Sequence, residues 1–247
     1  MKVVIITGGS RGIGASTAKI CAARGMGVIL TYNSNPAAAD AVVASIAAGG
    51  GAAVTLKLDV GDVGSFLTFR DAVASVLRTS FGRADFDFLV NNAGHGLYNP
   101  IVSVTEEEFD GLLAVHLKGP FFLTQTLLPL IADGGHIINL TSATMRVAFA
   151  GVAPYAAFKG GLAVLTRYMA KEFADRKIRA NSISPGAIRT ELGGGLNDEF
   201  EAMLAGMIAL GRVGEPEDIG GVIASLLLDD NRYINAQDIE VAGGYNI

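Results

Sequence analysis

Short apolar runs alternate with longer segments of helical periodicity along this 247-residue chain. The runs are VVIIT (3–7), GVILTY (27–32), AVTLKLDV (53–60), FDFLVNNA (86–93), HIINLTS (136–142), IRANSISPG (178–186) and DIEVAG (238–243). Their nearly continuous hydrophobicity suits strands covered on both faces, and the intervening segments are long enough for the crossovers that parallel pairing requires. Seven strands and six crossovers predict one α/β domain over residues 1–247, an open doubly wound sheet with helices on both faces.

Two helix starts follow from local chemistry. Thr105 and Glu108 form a T-x-x-E capping box with Glu106 and Glu107 in the first turn. In GEPEDIGGV, Pro216 stands at a first-turn position with Glu217 and Asp218 behind it. The first of these helices runs into LLAVHLKGPFF (112–122), where Phe109, Leu112, Leu113, His116 and Leu123 share one face at i, i+3, i+4 spacing. The imidazole should therefore point inward. Pro120 has no N–H for the carbonyl of His116, so the helix should bend there and leave that carbonyl for another partner, such as a water. Residues 189–212 differ from the rest: three glycines precede an amphipathic stretch with Phe200, Met203, Leu204, Met207 and Ile208 on its apolar side. That suits a hinged substrate lid, with an ordinary surface excursion as the alternative.

Composition narrows the partners. Half of the residues are hydrophobic and 17% are charged, enough apolar material for a large core. No apolar run is long enough to span a bilayer and no signal-type segment opens the chain, so a cytoplasmic protein without membrane attachment is expected. A net charge of −5 with no basic cluster argues against nucleic acid. Cys21, the single cysteine, lies in a helical run and reads as a core filler. His95 and His136 have no partners spaced for a metal site, so structural roles and no bound metal are expected.

Chemistry concentrates at the carboxyl ends of the strands. TGGSRGIG (7–14) follows the first strand and opens the first helix, with Gly8, Gly12 and Gly14 spaced G-x-x-x-G-x-G. Glycines there let the backbone approach a pyrophosphate, while the helix start offers free amides and partial positive charge, as in a Rossmann fold. The second strand ends in Tyr32, Asn33 and Ser34, where an NAD enzyme normally places a carboxylate for the adenosine ribose. With Arg11 in the glycine loop, these residues favour the 2′-phosphate of NADP(H), although NAD(H) remains possible.

Tyr155 and Lys159 are four residues apart and share a helix face. An ammonium beside a phenol favours the phenolate and lowers its pKa, so the pair can exchange a proton with a substrate oxygen. Ser142, ending the fifth predicted strand, can donate to the same oxygen and polarise a carbonyl.

TGGSRGIG, LDV (58–60), NNAG (91–94), Ser142, Tyr155, Lys159 and SPGAIRT (184–190) occur in an order and spacing that resembles the short-chain dehydrogenase/reductase family over the whole chain. The similarity is to its compact members, which include 3-oxoacyl-carrier-protein reductases and glucose dehydrogenases. The resemblance implies hydride transfer between a nicotinamide cofactor and a small ketone or secondary alcohol. Gly8, Arg11 and Ile13 would contact phosphates and riboses, with Ser10, Gly12, Gly14, Ala93, Gly94, Pro185 and Gly186 completing the cofactor-binding motifs. Asp59 and Val60 would flank the adenine, Asn91 would lie along the cofactor, and Ile188 and Thr190 would hold the carboxamide. Lys159 would also bind the nicotinamide ribose, and a homotetramer would form through the helices after strands four and five and the last strand. One departure stands out. Where the family usually has an asparagine completing a catalytic tetrad, this chain has His116; the family's asparagine marks a kink whose carbonyl holds a water linked to the lysine. Because Pro120 specifies that carbonyl, the expectation is an active enzyme in which the His116 side chain helps to shape the kink.

The residues expected to line the substrate pocket are Met145, Val147, Phe149 and Val152, with Leu97, Tyr98 and the lid. They suit a neutral or partly hydrophobic substrate; Arg146 and Arg189 would serve an anionic group or simply be solvated. The loop LPLIADGGH before strand five carries Asp133 and no Lys or Arg, which weakens the alternative of a carrier-protein reductase. A non-catalytic NADP(H) sensor and a glycine-rich methyltransferase are more distant alternatives, because neither requires Ser142, Tyr155 and Lys159 together.

Overall fold

A computed structural model describes residues 1–192 and 194–247. Its sheet has the order β3-β2-β1-β4-β5-β6-β7, with every neighbouring pair parallel. The strands are β1 (Val3–Ile6), β2 (Gly27–Tyr32), β3 (Ala53–Lys57), β4 (Phe86–Asn91), β5 (Ile131–Leu140), β6 (Arg179–Pro185) and β7 (Asp238–Val241). All seven predicted strands are present. The largest boundary difference is in β5, which begins five residues before the expected start and shifts register against β4 between Phe86 and Phe88. The extra residues include two glycines and an aspartate, so no apolar pattern marked them as strand.

Side-chain alternation divides the core into two layers. On one face Val4, Ile6, Val28, Leu30, Val90 and Ile138 meet α1 (Gly12–Ala23), α2 (Pro36–Ala48) and α8 (Pro216–Leu226). On the other, Val3, Ile5, Ile29, Leu89 and Ile137 meet α3 (Phe66–Phe81), α5 (Gly119–Leu127) and α6 (Ala153–Glu172). Cys21 is wholly inside the first layer, where burial pushes its thiol up to about 12, consistent with a filler. In the second layer, polar side chains tie strands and helix together: Asn91 of β4 donates to Asn139 of β5 at 2.8 Å, and Asn139 to Thr166 of α6 at 2.8 Å.

The helix after β4 begins as α4 (Glu106–Leu113) with the expected Thr105–Glu108 capping box. The predicted bend takes the form of a π-type turn, Ala114–Lys118, before α5 continues. Gly119 donates back five residues to Ala114, which takes from Val115 its α-helical donor, while Pro120 leaves His116 without one. Gly119 is needed because its backbone presses on the loop that follows β3: a Cβ there would collide with the Val60 carbonyl oxygen. Of the predicted stripe, Leu112, His116 and Leu123 are buried and Leu113 is half-buried, while Phe109 is 42% exposed at the rim with its ring edge-on to Phe158 at 4.9 Å.

Residues 189–212 contain α7 (Asp198–Gly206), capped by Asn197, which accepts from the Phe200 amide at 2.8 Å. Its expected apolar side is divided. Leu204 and Ile208 pack with Ala143, Val213 and Tyr245, whereas Phe200 and Met203 are each 43% exposed. The α8 start carries Pro216 as predicted, and Glu215 and Asp218 add a reciprocal cap.

Candidate functional site

The glycine-rich turn leaves β1 and opens α1. Gly8 has φ 65°, and a Cβ there would meet Ala93 Cα at 2.9 Å, so glycine is required both by conformation and by the closeness of the NNAG segment. Three residues outside the expected set lock these loops. Asn92 donates to the carbonyls of Thr7 and Gly8 at 2.8 and 3.2 Å, and Thr7 Oγ1 accepts from the amides of Asn92 and Ala93, both at 3.0 Å. Thr31 Oγ1 accepts from the Gly8 amide at 3.2 Å. The second asparagine of NNAG was the available sequence signal for this clamp. Arg11 stands before α1 and offers no side-chain cap, so the first amides of the helix remain for a ligand.

The other expected cofactor residues fall on this carboxyl edge with two differences. Tyr32 ends β2, Asp59 is exposed and turned onto the Gly61 amide at 2.8 Å, and Val60 is buried beside it. Thr190 approaches the glycine loop, since a Cβ on Gly12 would meet its Cγ2 at 3.2 Å; Ile188 bridges to Gly214. Asn91, however, directs its amide into the sheet network, which leaves only its main chain toward a cofactor. Arg11 pairs with Glu191 at 2.7 Å rather than standing free.

Ser142, Tyr155 and Lys159 converge beyond β5. Ser142 leaves the strand in an extended conformation and precedes the short turn Ala143–Met145, which fixes its side chain through Thr144. Tyr155 and Lys159 stand one turn apart on α6, with Lys159 Nζ 5.5 Å from the Tyr155 ring centre. The ammonium donates to the Leu140 carbonyl at 2.6 Å. Burial decides the ionisation of both groups: it pushes Tyr155 up to about 12, against a smaller lowering by Ser142, and Lys159 down to about 7. In this arrangement the desolvation of Tyr155 opposes the lowering expected from Lys159.

His116 lies in the same cluster. Its ring is buried and meets Tyr155 edge-on, with centres 5.0 Å apart, and Nε2 donates to the His95 carbonyl at 2.8 Å. Nδ1 has no hydrogen-bond partner among the described residues. Burial, then the nearby Lys159, pushes the imidazole down to about 3. His136, also buried, accepts at Nε2 from Asn181 at 2.7 Å and is structural.

Around the cleft, Met145, Val147, Phe149 and Val152 are half-buried, and Asn99 donates to the Gly151 carbonyl at 2.8 Å, joining the two loops. Tyr98 is 76% exposed, and Phe149 stacks on Tyr245 with centres 6.0 Å apart. Neither candidate cation is free. Arg146 binds Glu240 and the Tyr245 carbonyl at 2.6 Å each, and Arg189 binds Glu201 at 2.7 Å and Glu215 at 3.0 Å. The segment with Asp133, which forms the amino end of β5, is not without a cation either: Arg176 reaches it from sequence-distant residues and pairs with Asp133 at 2.8 Å. It lies at the opposite end of the strand from Ser142.

A doubly wound sheet whose first turn is glycine-rich, and whose fifth strand and sixth helix bring serine to tyrosine and lysine, defines an oxidoreductase of the Rossmann class. The family described as enoyl-(acyl carrier protein) reductase matches residues 8–246, and the chain belongs to the short-chain dehydrogenase/reductase family. It is 39% identical to an uncharacterized oxidoreductase of Methylorubrum extorquens, with 98% of this chain and 97% of that protein covered. It is 36% identical to a 3-oxoacyl-[acyl-carrier-protein] reductase of Synechocystis sp., covering 98% and 96%. Among solved structures it is similar to the angucycline C-6 ketoreductase LanV with bound NADP, at TM-score 0.95 and 34% identity over 99% of this chain and 95% of that one. The promiscuous reductase LugOII, which catalyses keto-reduction at C1 during lugdunomycin biosynthesis, gives TM-score 0.95 and 36% identity over 100% and 98%.

Proposed function

We propose that this enzyme is an NADP(H)-dependent carbonyl reductase acting on an apolar ketone. The observation that carries the reading is the convergence of Ser142, Tyr155 and Lys159 beside the glycine-rich turn. NADP(H), when bound, supplies the hydride. The chain's own residues then manage the substrate oxygen: Ser142 donates a hydrogen bond that polarises the carbonyl, and Tyr155 gives its proton to the oxygen as negative charge develops. A phenol held protonated by burial is in the right state for that transfer. Lys159 binds ribose hydroxyls and, while charged, stabilises the phenolate left behind.

The cofactor fits the residues present. The uncapped α1 amides and the glycine approach suit a pyrophosphate; Gly12, Ile13, Gly14, Ala93, Gly94, Pro185, Gly186, Ile188 and Thr190 surround its path. Arg11, Asn33 and Ser34 serve the 2′-phosphate, in keeping with the NADP bound to LanV. His116 shapes the π-type turn, and its own carbonyl, left without an α-helical donor by Pro120, would hold a water that returns protons toward Lys159. Phe200 and Met203 on α7 close over the pocket as a lid.

Apolar lining at Met145, Val147, Phe149 and Val152, together with ion pairs that neutralise Arg146 and Arg189, favours a neutral ketone over an anionic one. A carrier-bound 3-oxoacyl thioester is the second reading, favoured by the Synechocystis relative. Exposed Phe121, Val164 and Tyr168 on α5 and α6, with β7 at the sheet edge, support a homotetramer. The test is NADPH oxidation with cyclic and aliphatic ketones, diketones and an acyl-carrier thioester. Turnover of a free ketone, lost in Tyr155→Phe, is expected. Tight NADPH binding without turnover would favour a sensor instead, and a thioester faster than every free ketone would reverse the substrate ranking.

A further inference from the structure

We infer that Thr144 is a positioning residue whose hydroxyl leaves Ser142 able only to donate a hydrogen bond toward the substrate oxygen. The inference rests on the proposed role of Ser142 in polarising a carbonyl.

A serine hydroxyl carries one proton and two lone pairs, and rotation normally lets it donate or accept as its surroundings demand. In this chain both lone pairs are engaged by one residue. Ser142 Oγ accepts from the Thr144 amide at 3.2 Å and from the Thr144 hydroxyl at 2.9 Å. Ser142 is 8% exposed, so water has little access to compete for those positions. What remains is the Ser142 proton.

Direction matters because two partners meet there. A carbonyl oxygen gaining negative charge needs donors, and Tyr155 must give its own proton to that oxygen. A serine free to accept would draw the tyrosine proton toward itself. The Thr144 hydroxyl prevents this by occupying the lone pair that would accept, so Ser142 and Tyr155 both point protons at one oxygen.

Thr144→Val keeps the branched shape and the main-chain amide and removes only the hydroxyl. Its kcat for ketone reduction should fall about tenfold while KM for ketone and NADPH changes less than about twofold, because the interaction strengthens in the transition state. Thr144→Ser, which restores the donor, should recover to within about threefold of wild type. Ser142→Ala should lose roughly a hundredfold or more, and adding Thr144→Val to it should cost nothing further, since the effect passes through Ser142. Thermal melts and NADPH titrations establish that each variant is folded. Wild-type kcat in Thr144→Val alongside an impaired Ser142→Ala would overturn the assignment, as would an equal loss in the Ser142→Ala background. Unimpaired Ser142→Ala would instead overturn the role of Ser142 itself.

Discussion

His116 donates from Nε2 to the main-chain carbonyl of His95 at 2.8 Å, which commits the neutral ring to one tautomer and leaves Nδ1 as a buried acceptor without a donor among the described residues. A proton relay through this ring would need Nδ1 to gain a proton that burial and Lys159 both oppose, with the pKa pushed down to about 3. The imidazole therefore stays neutral through the working range. The pH profile of kcat between about pH 5 and 8 should contain no inflection from His116, and His116→Asn should leave the shape of the profile unchanged. His116→Ala should keep most of kcat per folded molecule. An inflection near pH 6.5 that disappears in the asparagine variant would assign the ring to the relay after all.

Two buried histidines make the fold sensitive to acid. His116 and His136 are both pushed down to about 3, from 6.5 when exposed. Between those values the unfolded histidines bind more protons than the folded ones, so their contribution to stability is complete above about pH 6.5 and declines as pH falls toward 3. Each group contributes up to ~1.4 kcal/mol per pH unit within that window. Urea unfolding at about pH 7, 6 and 5 should show the decline, and His116→Asn should remove about half of the slope.

Gly94 and His116 are matched in size. A Cβ on Gly94 would stand 2.8 Å from His116 Cε1 and 3.4 Å from Nδ1, a contact that the packed ring cannot relieve without disturbing Tyr155 or His95. Gly94→Ala should cost about 1–3 kcal/mol by overpacking and weaken NADPH binding. In a His116→Ala background the same change should cost far less, and that non-additivity, read by urea unfolding and NADPH titration, is the measurement.

The parts of the site that were legible in the sequence are those held by one element. Tyr155 and Lys159 share a helix face, Ser142 ends a strand, and the glycine turn sits between a strand and a helix, so spacing carried their geometry. The π-type turn was half legible: Pro120 announced a bend, but the contact of Gly119 with Val60, between segments distant in sequence, left no local sign that the turn would take the wider form. Contacts between distant segments left no local trace. Nothing near Arg11 indicates Glu191, and nothing near Asp133 indicates Arg176. The burial that opposes ionisation of Tyr155 was illegible for a related reason, because a four-residue spacing reports a neighbouring charge but not how dry the surroundings are.

Lys159 gives the reduction an alkaline limit. With burial pushing it down to about 7, its ammonium is lost as pH rises through neutrality. The ratio kcat/KM for NADPH reports groups of the enzyme before NADPH binds. That ratio should be level below about pH 7 and fall above it, by up to tenfold per pH unit while this one proton is required. Lys159→Arg, which stays charged, should be slower at every pH yet lack the limb.

Glu191 tunes the cofactor choice through Arg11. The two pair at 2.7 Å with both side chains well exposed, so the bridge adds little to stability, and its carboxylate screens the cation proposed to receive the 2′-phosphate. Glu191→Gln should leave unfolding free energy within ~0.5 kcal/mol of wild type. It should also lower KM for NADPH several-fold with little effect on NADH, because only NADPH carries the additional phosphate. Arg11→Ala should do the reverse, raising KM for NADPH more than for NADH. The double variant should resemble Arg11→Ala alone, since the carboxylate has no influence on the phosphate once its cation is gone beyond a weak screened repulsion. Equal effects on both cofactors in steady-state kinetics would place Arg11 on the shared pyrophosphate and move the discrimination to Asn33 and Ser34.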